Sequence, residues 1–310
     1  MDWVTHTLAG AAIGAGGYPW WGRRGVIGAV IAAQLPELER VLALAGPATW
    51  LQAAYGAGHS LFALPVLAAL LVVGFQRWLG GWGSALAAAA AGLASHAALD
   101  LVSGPGVRLL WPLGAQFYGL SILARYDVLV LLVLGVALAG PALLNLVNQD
   151  IGASRYQPQK AARAGLVVVG LLVAGRGAVY EAYESRVAPP STAGYVLTPS
   201  PFNPLTWYVV TDLGPAYTVE EFRLGRYGPA LRFRKAEPNR AFETAADTPL
   251  AQAFLSFAVF PQYTLERGAR GMLVRIRDMR FYSPGGDNRQ YSVEIEVTPQ
   301  LQVVAERARM

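Results

Sequence analysis

GSALAAAAAGLASHAALDLV, residues 83–102, is the stretch on which the reading of this chain turns. Its length is what a helix needs to cross a ~30 Å hydrocarbon core, and it holds no lysine or arginine. Yet its last turns carry His96 and Asp100, four residues apart and so on one helix face. Ionisable groups within membrane-length apolar segments are costly and mark function. Imidazole beside carboxylate is also the donor set of a zinc-like ion.

Working outward, further apolar segments run from Val4 to Trp21, Gly25 to Ala45 (broken by Pro36), Ser60 to Trp78, Tyr126 to Val147 and Ala164 to Tyr183, the last containing Arg176. The expected fold is therefore a polytopic α-helical membrane domain of five or six transmembrane helices over residues 1–187. The 15% charged content is far below the ~25% of soluble proteins. Runs of small residues such as Ala85–Gly92 suit close helix packing in lipid. There is no cysteine, which excludes thiolate catalysis, disulfides and Cys-ligated metal. No basic stripe interleaved with aromatics suggests nucleic acid, and no basic n-region of a signal peptide precedes the first segment.

Basic residues in short loops orient such a protein. With six spans, Arg23, Arg24, Arg77, Arg155, Lys160 and Arg163 fall on one side, the cytoplasmic one, against Arg108 and Arg125 opposite. His6, His59, His96, Asp100 and Asp127 then gather toward the outer face. Glu37 lies ~18 Å along the second segment, past the midplane of the core.

From Ala188 the texture becomes alternating and β-branched. Leu205–Thr211, Tyr217–Leu224, Leu231–Arg234, Met272–Ile276 and Tyr291–Val297 read as strands and Pro249–Phe260 as a helix, with a turn at 284–288. Residues 188–310 are expected to form a small, mainly antiparallel β domain with one helix, outside the cytoplasm.

Singly, each polar cluster has a bland reading. His96 and Asp100 can pin two helices together, Glu37 and Glu39 can be solvated acids where Pro36 ends a helix, and Ser60 beside His59 can cap one. Jointly, unpaired groups at ~2.5–3.5 kcal/mol each in lipid would exceed the ~5–15 kcal/mol stability of a typical domain. A shared divalent cation offsets that cost. The candidate ligands are His6, His59, His96, Asp100, Glu37 and Glu39, with Glu37 or Glu39 also available as general base. Asp127, Ser60 and Asp2 are candidates to orient them, Asp127 being alternatively a ligand or an ion-pair partner of Arg125. A His/carboxylate site with an open position lowers the pKa of bound water and makes it a nucleophile.

These residues resemble the YdjM-type family of bacterial inner-membrane metal-dependent hydrolases along nearly the whole chain. The resemblance is carried by Asp2-Trp3-Val4-Thr5-His6 with Gly10 and Gly14, by Leu35-Pro36-Glu37-Leu38-Glu39 and by His59-Ser60-Leu61. Its most specific stretch is His96, Asp100 and Ser103 followed by Gly106-Val107-Arg108-Leu109-Leu110-Trp111-Pro112, with Asp127 at a further acidic position. Pro201-Phe202-Asn203-Pro204-Leu205-Thr206-Trp207 and Val274-Arg275-Ile276-Arg277-Asp278-Met279-Arg280-Phe281 are similar to the family's β appendage. Glutamates replace the family's Pro-Asp-x-Asp acids, and a His-Arg pair before the family's Thr-His-Ser is absent, Ala54, Tyr55 and Gly58 standing there. The resemblance implies a multi-pass inner-membrane hydrolase. A fainter similarity to zinc-dependent phospholipase C points to phosphoesters.

The expected function is hydrolysis of an ester or phosphoester of a lipid or envelope intermediate, with zinc, or manganese or magnesium, as cofactor. The alternative is a non-catalytic membrane protein whose His/acid cluster is a helix-packing network and whose β domain binds an envelope partner. A cation or proton transporter is a third reading, set back by the lack of a polar relay in the cytoplasmic half. Nothing in the sequence specifies an oligomeric state.

Overall fold

The computed structural model describes residues 1–104, 106–151, 157–187, 194–282, 284 and 291–309. Arg155, Ala188, Pro189, Pro190 and the turn residues 285–288 lie outside them. The chain divides into two compact units, Met1–Leu38 with Tyr55–Val179 and Glu39–Ala54 with Tyr180–Met310.

The first unit is helical. Helix α1 (Trp3–Gly16) begins where the Asp2 carboxylate accepts the amides of Val4 and Thr5, satisfying donors that a helix start leaves open. Helix α2 (Tyr18–Gln34) is kinked at Gly22, whose φ is 61°, and passes at Leu35 into a 3-10 segment, Leu35–Ala45. Pro36 sits at this change of pitch, where it cannot donate a backbone bond. The short helix α3 (Pro47–Ala53) belongs to the second unit. Then come α4 (Ala63–Phe75), α5 (Trp82–Val102), α6 (Val128–Ile151) and α7 (Pro158–Glu184).

Trp82–Val102, Val128–Val147 and Pro158–Glu184 are long and apolar enough to cross a membrane. The first three expected segments differ from this. They form helices of 14, 17 and 13 residues, shorter than the ~20 a span needs, because Leu35 ends the regular α-helix of the second and glycine and proline punctuate the others.

Close packing of α1, α2 and α5 positions everything that follows. A Cβ on Gly92 would lie 2.5 Å from the Ala29 carbonyl and 2.6 Å from Ala32 Cβ. One on Gly10 would lie 2.8 Å from Ala33 Cβ. Only glycine lets these backbones approach so closely. Ala9, Ala12 and Leu99 pack with Leu123, Val130 and Leu134 on one side of α5, and Ala32, Ala85, Ala89 and Leu93 with Leu71, Val72 and Leu79 on the other.

The second unit holds two four-stranded antiparallel sheets, each in sequence order. The first comprises β1 (Tyr195–Pro199), β2 (Thr206–Asp212), β3 (Ala216–Arg223) and β4 (Arg226–Arg234). Two helices follow rather than the single one expected. They are α8 (Arg240–Ala246), capped by Asn239, and α9 (Pro249–Leu255), capped by Thr248. The second sheet comprises β5 (Pro261–Arg267), β6 (Met272–Asp278), β7 (Ser292–Val297) and β8 (Val303–Arg309). Its β7 contacts both α8 and α9, and α3 packs on α9. Tyr208, Val210, Tyr217 and Val219 of the first sheet meet Phe260 and Met279 beside the second. Tyr217 Oη donates to the Pro261 carbonyl at 3.0 Å; burial pushes this phenol up, so it stays protonated for that bond.

Candidate metal centre

His6 is on α1, Glu37 in the 3-10 segment after α2, His59 in the turn before α4, and His96 and Asp100 on α5. The helix packing brings all five into one region. Asp100 is its centre and is 2% exposed. His6 Nε2 lies 3.1 Å from Asp100 Oδ1, while His59 Nε2 and His96 Nε2 lie 3.2 and 3.1 Å from Oδ2. The Met1 amino group also donates to Oδ1. The His6 and His96 rings stack at 3.8 Å between centroids, with His59 at 4.9 Å from His96.

Two sets of donor atoms lie within 4.8 Å of one another, His6/His96/Asp100 and Glu37/His59/His96, and each could hold a metal ion. Glu39 belongs to neither set. Such spacing is compatible with coordination, since donors around a tetrahedral ion with bonds of ~2.0–2.2 Å lie roughly 3.3 Å apart.

His96 shows whether a cation fits. Its Nδ1 is 2.7 Å from the Ala33 carbonyl, which can only accept, so Nδ1 carries the proton. In a neutral ring Nε2 then presents a lone pair. That atom is buried and makes no hydrogen bond among the described residues, yet it faces a carboxylate oxygen at 3.1 Å. Two acceptors at that distance need a cation between them, a proton or a metal ion. A histidine whose far nitrogen is tied to a backbone carbonyl is the usual arrangement of a metal ligand.

The remaining candidates occupy supporting positions. Asp2 accepts the Val4 and Thr5 amides at 3.0 Å, and its own amide donates to the Arg125 carbonyl at 3.2 Å. Ser60 Oγ accepts the Ala63 amide at 3.1 Å, starting α4. Asp127 pairs with Arg176 of α7 at 3.0 Å, a partner 49 positions away rather than the nearby Arg125 that the sequence suggests. Two contributors were not anticipated. Tyr55 has its ring 6.0 Å from His59 and its hydroxyl 2.8 Å from the Arg125 guanidinium, and holds φ at 60°, a conformation that costs a non-glycine residue energy. The Ala33 carbonyl is the other. A backbone atom has no letter of its own, and Tyr55 stood out in the sequence only as one of the residues in the place of the family's His-Arg pair.

Residues 1–183 match the family model described as YdjM inner membrane protein. The chain belongs to the YdjM inner membrane protein family. That match spans all five clustered residues and leaves the two sheets outside it. Membership in the YdjM family agrees with the three membrane-capable helices. No curated protein and no solved structure matches the chain.

Proposed function

We propose that this protein is a membrane-embedded, metal-dependent hydrolase acting on an ester or phosphoester of a lipid or envelope intermediate. The carrying observation is the His96 geometry, a fixed tautomer aiming a lone pair at the buried Asp100 carboxylate. His6, His59, His96, Asp100 and Glu37 are the ligands. Zinc suits so histidine-rich a set; bound there, the ion supplies Lewis acidity and lowers the pKa of water. Glu39 is outside both donor sets and belongs to the other compact unit, which leaves Glu37, as ligand or general base, the carboxylate for proton transfer. Asp2 and Ser60 fix the helix starts that carry His6 and His59.

We further propose that α1, α2 and α4 cross or enter the bilayer with the three longer helices, giving six membrane segments, as the shared packing of α1, α2 and α5 suggests. Arg23, Arg24, Arg77, Lys160 and Arg163 then face the cytoplasm. The site opens toward the outer leaflet, where an amphiphilic substrate need not leave the membrane.

The competing reading, a helix-packing network without catalysis, is separated by one measurement. Protein purified in mild detergent should contain bound divalent metal by elemental analysis. It should hydrolyse aryl phosphate or aryl ester reporters, and lose that activity on chelation and regain it with zinc. Protein that neither contains nor takes up metal leaves only the packing network.

A further inference from the structure

We propose that the site is a two-ion centre bridged by Asp100 and built for a phosphoester rather than a carboxylic ester; this rests on the metal-hydrolase reading above. The five side chains form two overlapping donor sets and no single set contains them all. The donors of one ion sit on a sphere about 4.2–4.4 Å across, twice a bond of ~2.1–2.2 Å, so one ion does not reach five donors spread in this way. The two sets share His96, and Asp100 of the first set also faces His59 of the second. Asp100 Oδ1 faces His6 and accepts from the Met1 amino group, and its Oδ2 faces His59 and His96; with an ion in the amine's place, the carboxylate has one oxygen for each of two ions. His96 appears in both sets but has one nitrogen to give, since Nδ1 is held by Ala33. The economical division is His6, His96 and one Asp100 oxygen for the first ion, and His59, Glu37 and the other oxygen for the second.

Charge decides the substrate class. Three neutral imidazoles and two carboxylates bring two negative charges. With the Met1 ammonium beside Asp100 the sum is one negative charge, so one divalent ion leaves a surplus of one positive charge in the buried pocket and two ions a surplus of three. The Arg125 guanidinium, held by Tyr55 beside His59, adds to that side. In a low-dielectric site such a surplus demands an anionic ligand, and a phosphoester carries its charge on the oxygens that two ions clamp in phosphoryl transfer. Hydrolysis of a diester then joins water oxygen to phosphorus and breaks the P–O bond to the leaving alcohol. One water hydrogen leaves with that alcohol and the other stays on the product phosphate.

The test is a count. Metal-free protein in detergent, reloaded with zinc and desalted, should hold two ions per chain by elemental analysis. His6→Ala and His59→Ala should each hold one, and Asp100→Asn none. Because these variants can misfold, the wild type loaded with manganese provides a second readout, a spin-coupled pair in its electron paramagnetic resonance spectrum. Inorganic phosphate should bind the zinc-loaded protein in calorimetry and fail to bind the metal-free protein. One ion per chain, an uncoupled manganese signal or absence of phosphate binding overturns the two-ion phosphoester site while leaving a metal hydrolase standing. No bound ion at all removes both.

Discussion

Pro36, in the 3-10 segment that follows α2, stands three residues past the carbonyl that holds His96 of α5. Leu35 N bonds back to the Ala32 carbonyl, three residues away, so the next carbonyl, that of Ala33, would be served by the N–H of residue 36. Proline has none, and the Ala33 carbonyl takes His96 Nδ1 at 2.7 Å. Pro36→Ala restores a donor that competes for Ala33 and frees the imidazole to swap tautomers. Zinc affinity, read by competition with a chelating dye, should fall by about 10–100-fold, the usual effect of losing a ligand's support. Affinity equal to wild type would mean that Ala33 does not orient the ring. At this scale the sequence was most readable where a side chain was out of place. Three histidines and a few acids in apolar runs stood out because lipid tolerates them poorly, and the i, i+4 spacing put His96 and Asp100 on one face. The partner of Asp127 was not readable, since Arg176 is distant along the chain and looked like a lone charge in a span.

Among the elements, the crossing of α5 over α2 carries the site, and it depends on a residue with no side chain of its own. Gly92 is one turn before His96 and its Cα lies against the Ala29 carbonyl and Ala32. Gly92→Val forces the helices apart. We expect a loss of about 1–3 kcal/mol in stability, typical of overpacking, together with loss of bound metal. Thermal unfolding and elemental analysis in detergent would measure both. Gly74→Val on α4, with nothing within 4 Å of its Cβ position, is the control and should change neither; equal damage in both would point to a general glycine effect. Small residues at 85–92 announced close packing, but composition does not say which neighbour they meet. In the sheets, alternating and β-branched runs located β2, β3, β6, β7 and the last four residues of β4. β5 opens on a proline and β8 reads VVAERAR, so neither has a clean period. Glu294 of β7 is 6% exposed and paired with Arg275 at 3.0 Å, a cross-strand contact that a single strand's pattern cannot announce.

For the molecule as a whole, the change from apolar helix to alternating strand was visible, but the company kept by residues 39–54 was not. They look like the end of a membrane segment, and their contacts place them with Tyr180–Met310, since α3 packs on α9. Under the proposed topology the basic loop at Lys160 and Arg163 is cytoplasmic and the sheets lie on the other side. In this cysteine-free chain, Gln300→Cys at an exposed turn should react with a membrane-impermeant maleimide in intact spheroplasts. Reaction only after lysis would put the sheets in the cytoplasm and reverse the proposed orientation. The clustered donors also have a calendar. All five lie between His6 and Asp100 of a 310-residue chain, and ribosomes add ~5–20 residues per second. The last donor is therefore made roughly 10–40 s before the final strand. Under the proposed metal site, an ion arriving in that interval meets a chain on which all five donors are already made and the sheets are not.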